Sequence, residues 1–307
     1  ETDRMFADIQ RDAGGVNLFR HNREPADVEH QTVIRLNRDT LYSFAIVDLS
    51  EAARLTIPDA AGRYLSVMVL DRDHYVRAVL HEPGDHDVAD LAPDADYVLI
   101  AARTLVDPTD PADIAEVAAL QDGLTVEAGS ATPFEPGDWD AASLNATRDA
   151  LLALARGLQQ FDRTFGGPDE VDPVRHLIGA AAGWGGLPLS EASYVGVEPI
   201  GAGRHLSAPY GRRSRRRVLV GLGLQRAGLL RGQPEGRYSV NSVTGVRDED
   251  GAITVRFVPP GGVEGAGDIP VPEGWNFLVR LYRPREEILD GRWTVPDLVP
   301  EESPDEP

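Results

Sequence analysis

Residues 32–100 form a series of short apolar runs, each cut off by Pro, Gly or Asp. Residues 41–47, 54–57, 64–70, 75–80 and 97–101 are such runs, rich in Val, Ile, Leu, Tyr and Phe. Short strands at this spacing join through tight turns, and the pattern predicts an antiparallel sandwich. The period then changes. Ile114, Val117, Ala118 and Leu120 form a helical stripe behind Asp110-Pro111. Residues 146–165 put Leu151, Leu152, Leu154, Leu158 and Phe161 on one side of a second helix, and Asp172-Pro173 opens a third that Gly183 closes. Residues 1–12 read as a short helix ended by Gly14-Gly15. The last third returns to strand composition at 238–241, 253–257 and 275–282, with Asp248-Glu249-Asp250-Gly251 as a hairpin turn. The expected fold class is α+β, mainly β. The expected divisions are a β domain with an N-terminal helix (1–107), a helical segment (108–185), a second β domain (186–300) and a disordered acidic tail (301–307).

Composition narrows the chemistry. The formal net charge is -20 over 307 residues and the isoelectric point is about 4.7. Such a field repels nucleic-acid phosphate and anionic lipid, so neither is an expected partner. All the basic residues are Arg, which removes the phosphate-loop Lys and any Schiff-base lysine. Cys is absent, which removes disulfides, thiolate metal sites and Cys nucleophiles. No run nears the ~20 apolar residues that span a bilayer. The chain starts at Glu1 without a basic-then-apolar leader, so a leader was removed or the sequence is a fragment. A soluble, cytoplasmic protein is the expectation, with a small molecule as partner and self-association left open.

Asn37-Arg38-Asp39-Thr40-Leu41-Tyr42-Ser43, followed by Asp48-Leu49, Pro58-Asp59 and Gly62-Arg63-Tyr64, resembles the start of the family called domain of unknown function 1254. Ala181-Ala182-Gly183-Trp184-Gly185-Gly186 resembles that family's helix exit. Tyr238-Ser239-Val240-Asn241-Ser242, Glu273-Gly274-Trp275-Asn276, Val279-Arg280-Leu281-Tyr282-Arg283-Pro284 and Ile288-Leu289-Asp290-Gly291-Arg292-Trp293 resemble its companion, domain of unknown function 1214. The likeness runs along nearly the whole chain in order. It implies an immunoglobulin-like β domain, a helical segment and a jelly-roll-like β domain. It implies no mechanism, although some members carry hydrolase or carboxylesterase labels.

Residues 201–233 break the surrounding pattern. Arg212-Arg213-Ser214-Arg215-Arg216-Arg217 is a basic run in an acidic chain, and residues 218–225 are low in complexity. Read one base later, codons that encode 218–225 can give Phe-Trp-Ser-Val-Ser-Val-Tyr-Asn, which fits the related family at this place. A compensated frameshift between Gly201 and Pro234 is expected; the alternative is a genuine basic loop for an acidic partner. A frameshifted stretch with Gly221, Gly223 and Gly228 is expected to pack poorly.

No Gly-x-Ser-x-Gly elbow is present, which argues against an ordinary α/β-hydrolase. His74, His81 and His86 lie among Asp71, Asp73, Glu82, Asp85 and Asp87. Imidazole and carboxylate can ligate a metal, form an acid–base set, or simply end strands. The spacing is no known ligand signature, and residues seven apart on a strand face opposite sides unless a bulge intervenes. Asn37, Asp39 and Tyr42 either fix a turn or line a pocket, and Arg63 can join that pocket because a guanidinium grips carboxylate at two points. Arg280 alternates with Val279 and Leu281 and points either into a barrel mouth or into water. The candidate catalytic residues are therefore His74, His81, Glu82 and Asp39. The candidate ligand-binding residues are Asn37, Tyr42, Arg63 and Arg280, and no metal or cofactor is expected. The expected function is small-molecule binding, or hydrolytic acid–base chemistry of unassigned substrate; the alternative is a non-catalytic binding or assembly module.

Overall fold

The computed structural model describes the whole chain except residues 30–36, 159–160, 198–203, 209–217, 225–229, 231–235, 250, 273–274 and 301–307. It divides into two compact units. The first comprises Glu1–Glu24, Thr40–Leu105 and Ala112–Leu189, and the second Pro25–Asp39, Val106–Pro111 and Ser190–Pro307. Strands outnumber helices among the described residues, and none of the four sheets closes into a barrel. No helix among them is long and apolar enough to cross a membrane.

The first unit begins with α1 (Thr2–Ala13), which buries Phe6 and Ile9 and ends at Gly14 with φ of 87°. It continues through β1 (Arg20–His21), β2 (Thr40–Asp48), β3 (Ala53–Ile57), β4 (Leu65–Asp71), β5 (Val76–Leu80), β6 (Gly84–Asp87), α2 (Val88–Leu91) and β7 (Tyr97–Leu105). Next come α3 (Pro111–Asp122), β8 (Thr125–Ala128), α4 (Ala141–Ala155) and α5 (Pro173–Ala182). The sheets run β1-β2-β7-β4-β5 and β6-β3-β8, with antiparallel pairing throughout. Period-2 alternation points one side of each sheet at the other. Val47, Leu55, Val67, Val69, Val98 and Ile100 meet there, all with no exposed surface. The second helical stripe ends sooner than its pattern suggests: α4 stops at Ala155, ahead of Gly157, and Leu154 remains 60% exposed.

The second unit holds β9 (Ala192–Val197), β10 (Arg204–Ala208), β11 (Val218–Leu224), β12 (Ser239–Val240), β13 (Ile253–Val258), β14 (Asp268–Pro270), β15 (Asn276–Tyr282), α6 (Glu286–Leu289) and β16 (Val299–Pro300). Its sheets run β14-β13-β10-β16 and β12-β11-β15-β9, antiparallel except for the β13–β14 pair. Two stretches of the suspect 201–233 segment are thus strands, whereas Arg212 to Arg217 lie outside the described residues. β15 decides where the polar residues go. Phe277, Val279 and Leu281 enter a core with Val255, Phe257, Ile269 and Trp275. Asn276, Leu278, Arg280 and Tyr282 therefore take the opposite face, where Leu278 packs on Leu230 and Tyr238.

Candidate functional site

The second unit brings three of the sequence-predicted residues together on that opposite face of β15. Asn37 donates through Nδ2 to the Tyr282 hydroxyl at 3.0 Å, and its Oδ1 accepts from the Asp39 N–H at 3.0 Å. The second bond is the local turn expected of an Asn before a strand. Asp39 itself reaches much further. Its Oδ1 accepts from Ser239 Oγ at 2.6 Å and from Asn241 Nδ2 at 2.9 Å. Asn241 is held in turn, because its Oδ1 accepts the N–H groups of Val243 and Thr244 at 2.8 and 3.0 Å.

Asp39 has no exposed surface, and its Oδ2 has no hydrogen-bond partner among the described residues. Burial pushes its carboxyl up from the ordinary range, against the opposing pull of Ser239, Asn241 and the charges of Arg280 and Arg38. Arg280 is 3% exposed, so it points inward and not into water.

A cleft of about 400 Å³ adjoins this cluster, and Ser239 stands on its wall. Arg38, Asp107, Arg237, Tyr238 and Thr244 also line it. The Arg38 guanidinium lies 5.2 Å over the Tyr238 ring and donates to the Ala26 carbonyl at 2.7 Å. Arg237 donates to the Gly265 carbonyl at 2.6 Å. The Gly265 turn is fixed by Asp268, whose Oδ2 accepts the N–H groups of Glu264 and Gly265, both at 2.8 Å. Ser239, Asn241 and Tyr282 were missed as site residues. The signal was available: Ser239 and Asn241 alternate with Tyr238 and Val240, and Tyr282 shares the period of Arg280.

The other sequence-predicted residues stand in the first unit and form no single cluster. His74 occupies the turn between β4 and β5 with φ of 69°, and it is 2% exposed. Its Nε2 accepts the Gly185 N–H at 2.9 Å, which places the neutral ring's proton on Nδ1. Burial, reinforced by the neighbouring His176, pushes His74 down to about 3. His176 stacks on Tyr75 at 4.6 Å, with its ring nitrogens 3.2 Å from the Thr164 carbonyl and 3.0 Å from that of Asp73. His81 has different neighbours: its Nδ1 lies 3.2 Å from the Leu65 carbonyl, beside Tyr64. Glu82 is exposed. Arg63 grips Asp113 at 2.5 Å and Glu116 at 3.2 Å, so its two-point hold falls on α3. Tyr42 stacks on Phe44 under the Arg103 guanidinium.

The first unit has its own cleft, of about 500 Å³, with Tyr75, Tyr97 and Phe134 among its walls. Its acidic side chains are partly neutralised internally, since Arg77 pairs with both Asp71 and Asp94. Among the described residues no group of three His, Asp or Glu is placed to hold a metal ion.

The fold and site together define a two-unit, mainly antiparallel β protein with a buried carboxyl behind a cleft. Residues 16–90 match the model of a family described as protein of unknown function, DUF1254. In structure the chain is similar to the VPA0106 protein of Vibrio parahaemolyticus, with a TM-score of 0.63 and 17% identity over 86% of this chain and 89% of that one. It is also similar to an uncharacterised protein from Burkholderia cenocepacia, with a TM-score of 0.49 and 15% identity over 92% and 82% of the two chains. No curated protein matches the sequence.

Proposed function

We propose that the protein binds a small molecule in the cleft of its second unit, and that Asp39 gives this cleft acid–base chemistry through Ser239. One observation carries the reading. A carboxyl wholly removed from water, with one oxygen open, stands one hydrogen bond behind a hydroxyl on the cleft wall. A carboxyl raised by burial is a stronger base when ionised and keeps its proton to higher pH. Ser239 Oγ, already donating to it, has a base for its proton, which is the first need of a hydrolytic nucleophile. The cleft volume falls in the range of small-molecule sites.

The motif order from residue 238 to 293 supports a second β domain of the domain of unknown function 1214 type, jelly-roll-like, behind an immunoglobulin-like first β domain. The frame break at 201–233 belongs to the same proposal, and sequencing the gene across those codons in this and a related strain tests it.

The functional test is thermal-shift screening of a metabolite and ester set with the wild type, Asp39→Asn and Ser239→Ala. At least one compound is expected to stabilise the wild type, to lose that effect in both variants, and, if an ester, to be hydrolysed by the wild type alone. Equal stabilisation of all three proteins, or of none, would sink the proposal. A non-catalytic binding module is the second reading. The separation of His74, His81 and Glu82 favours it, and it predicts binding without turnover.

A further inference from the structure

We infer that the ligand of the second unit's cleft is a small carboxylate, seated between the guanidinium groups of Arg38 and Arg237; this rests on the cleft being the ligand site. The charges on its wall are the starting point. In a chain of net charge -20, the lining carries two guanidinium groups and one carboxylate, Asp107.

Among the described residues neither arginine is in an ion pair. Their hydrogen bonds go to the backbone carbonyls of Ala26 and Gly265. A guanidinium has five N–H donors in a fixed fork, so each keeps donors beyond the one that anchors it. Both forks are held: Arg38 sits over Tyr238 and donates to the Ala26 carbonyl, and Arg237 is tied to the turn that Asp268 organises. An immobilised fork loses little freedom when it grips a planar anion.

The choice of a carboxylate follows from the charge count. Two cations against one anion leave about one positive charge, which matches a monoanion better than a phosphate dianion. Carboxylate oxygens also match the guanidinium fork in spacing and plane. The far end of such a ligand meets Tyr238, Ser239 and Thr244, an aromatic residue and two hydroxyl-bearing ones. Ser239, which stands on the wall and donates to Asp39, links such a ligand to the buried carboxyl.

Matched probes test this: benzoate against benzamide, hexanoate against hexanamide, and inorganic phosphate, each titrated by calorimetry into the full chain. The acids are expected to bind roughly ten-fold more tightly than their amides. Arg237→Gln should abolish that difference. Asp107→Asn should tighten the acids severalfold, a gain that a misfolded variant cannot mimic. Amides that bind as well as acids, and lose binding in Ser239→Ala, would overturn the carboxylate while leaving the cleft as a site. Phosphate binding above every acid would overturn it in favour of another anion. Binding by neither acids nor amides would overturn both the carboxylate and the cleft.

Discussion

Asp268 and His74 are both buried titratable groups, and their environments push their pKa values below the ordinary values. Burial alone would raise Asp268, but the Arg256 guanidinium and the N–H groups of Glu264 and Gly265 outweigh it and hold the carboxyl at about 2. A carboxylate held below its ordinary 3.8 stabilises the fold above that pH, and the contribution is lost as pH falls from 3.8 towards 2. Asp268→Asn should therefore cost about 2 kcal/mol at pH 7 and flatten the acid limb of a urea-unfolding series. His74 is held at about 3, below its ordinary 6.5. The unfolded chain takes up the proton first, so stability falls as pH drops from 6.5 towards 3, by about 1.4 kcal/mol per pH unit from this group. Melting curves at pH 7, 6 and 5 should show stability falling, more steeply over the second step than the first, and His74→Gln should reduce the fall. Residue types were legible in the sequence, but partners were not. Asn37, Asp39 and Arg280 could be named as polar candidates, yet Asp39 bonds to side chains 200 and 202 residues away. Arg63 looked equally suited to a ligand and is taken by Asp113, because spacing does not reveal which helix arrives beside a strand end.

Strands were more legible than helices, and the reason is burial. The five runs between residues 41 and 101 became β2, β3, β4, β5 and β7 because each has an apolar period that a sheet face can bury. Residues 146–165 have a helical stripe of similar strength, but α4 buries no residue completely, so its pattern found less surface to cover. The exit of α5 depends instead on close approach. A Cβ on Gly186 would lie 2.5–2.7 Å from the ring of Phe165, closer than carbon atoms tolerate. The neighbouring Gly185 supplies the N–H that His74 accepts, so a shift of this turn also disturbs that bond. Gly186→Ala is expected to destabilise the first unit by about 1–3 kcal/mol, measured by denaturant unfolding. An unchanged midpoint would mean that the Phe165 ring moves aside at no cost.

The charge of the whole molecule sets how it responds to salt. Fifty acidic residues face thirty arginines, leaving -20. Contact pairs such as Arg72 with Asp3 at 2.6 Å, or Arg11 with Asp8 at 2.7 Å, are exposed and contribute little. They act over distances well inside the Debye length of roughly 8 Å at physiological ionic strength, so salt weakens them only in part. The repulsion among the surplus carboxylates acts over longer distances, and screening removes most of it. Added salt therefore takes more from the destabilising side than from the stabilising one. The melting temperature should rise by a few degrees between roughly 10 and 200 mM NaCl, with most of the gain below 100 mM. The same field opposes the approach of a carboxylate to the Arg38–Arg237 cleft, so the association rate of benzoate should also increase over that salt range. A melting temperature that falls on adding salt would mean that the contact pairs outweigh the surplus, and the charge of the chain would then be a source of stability.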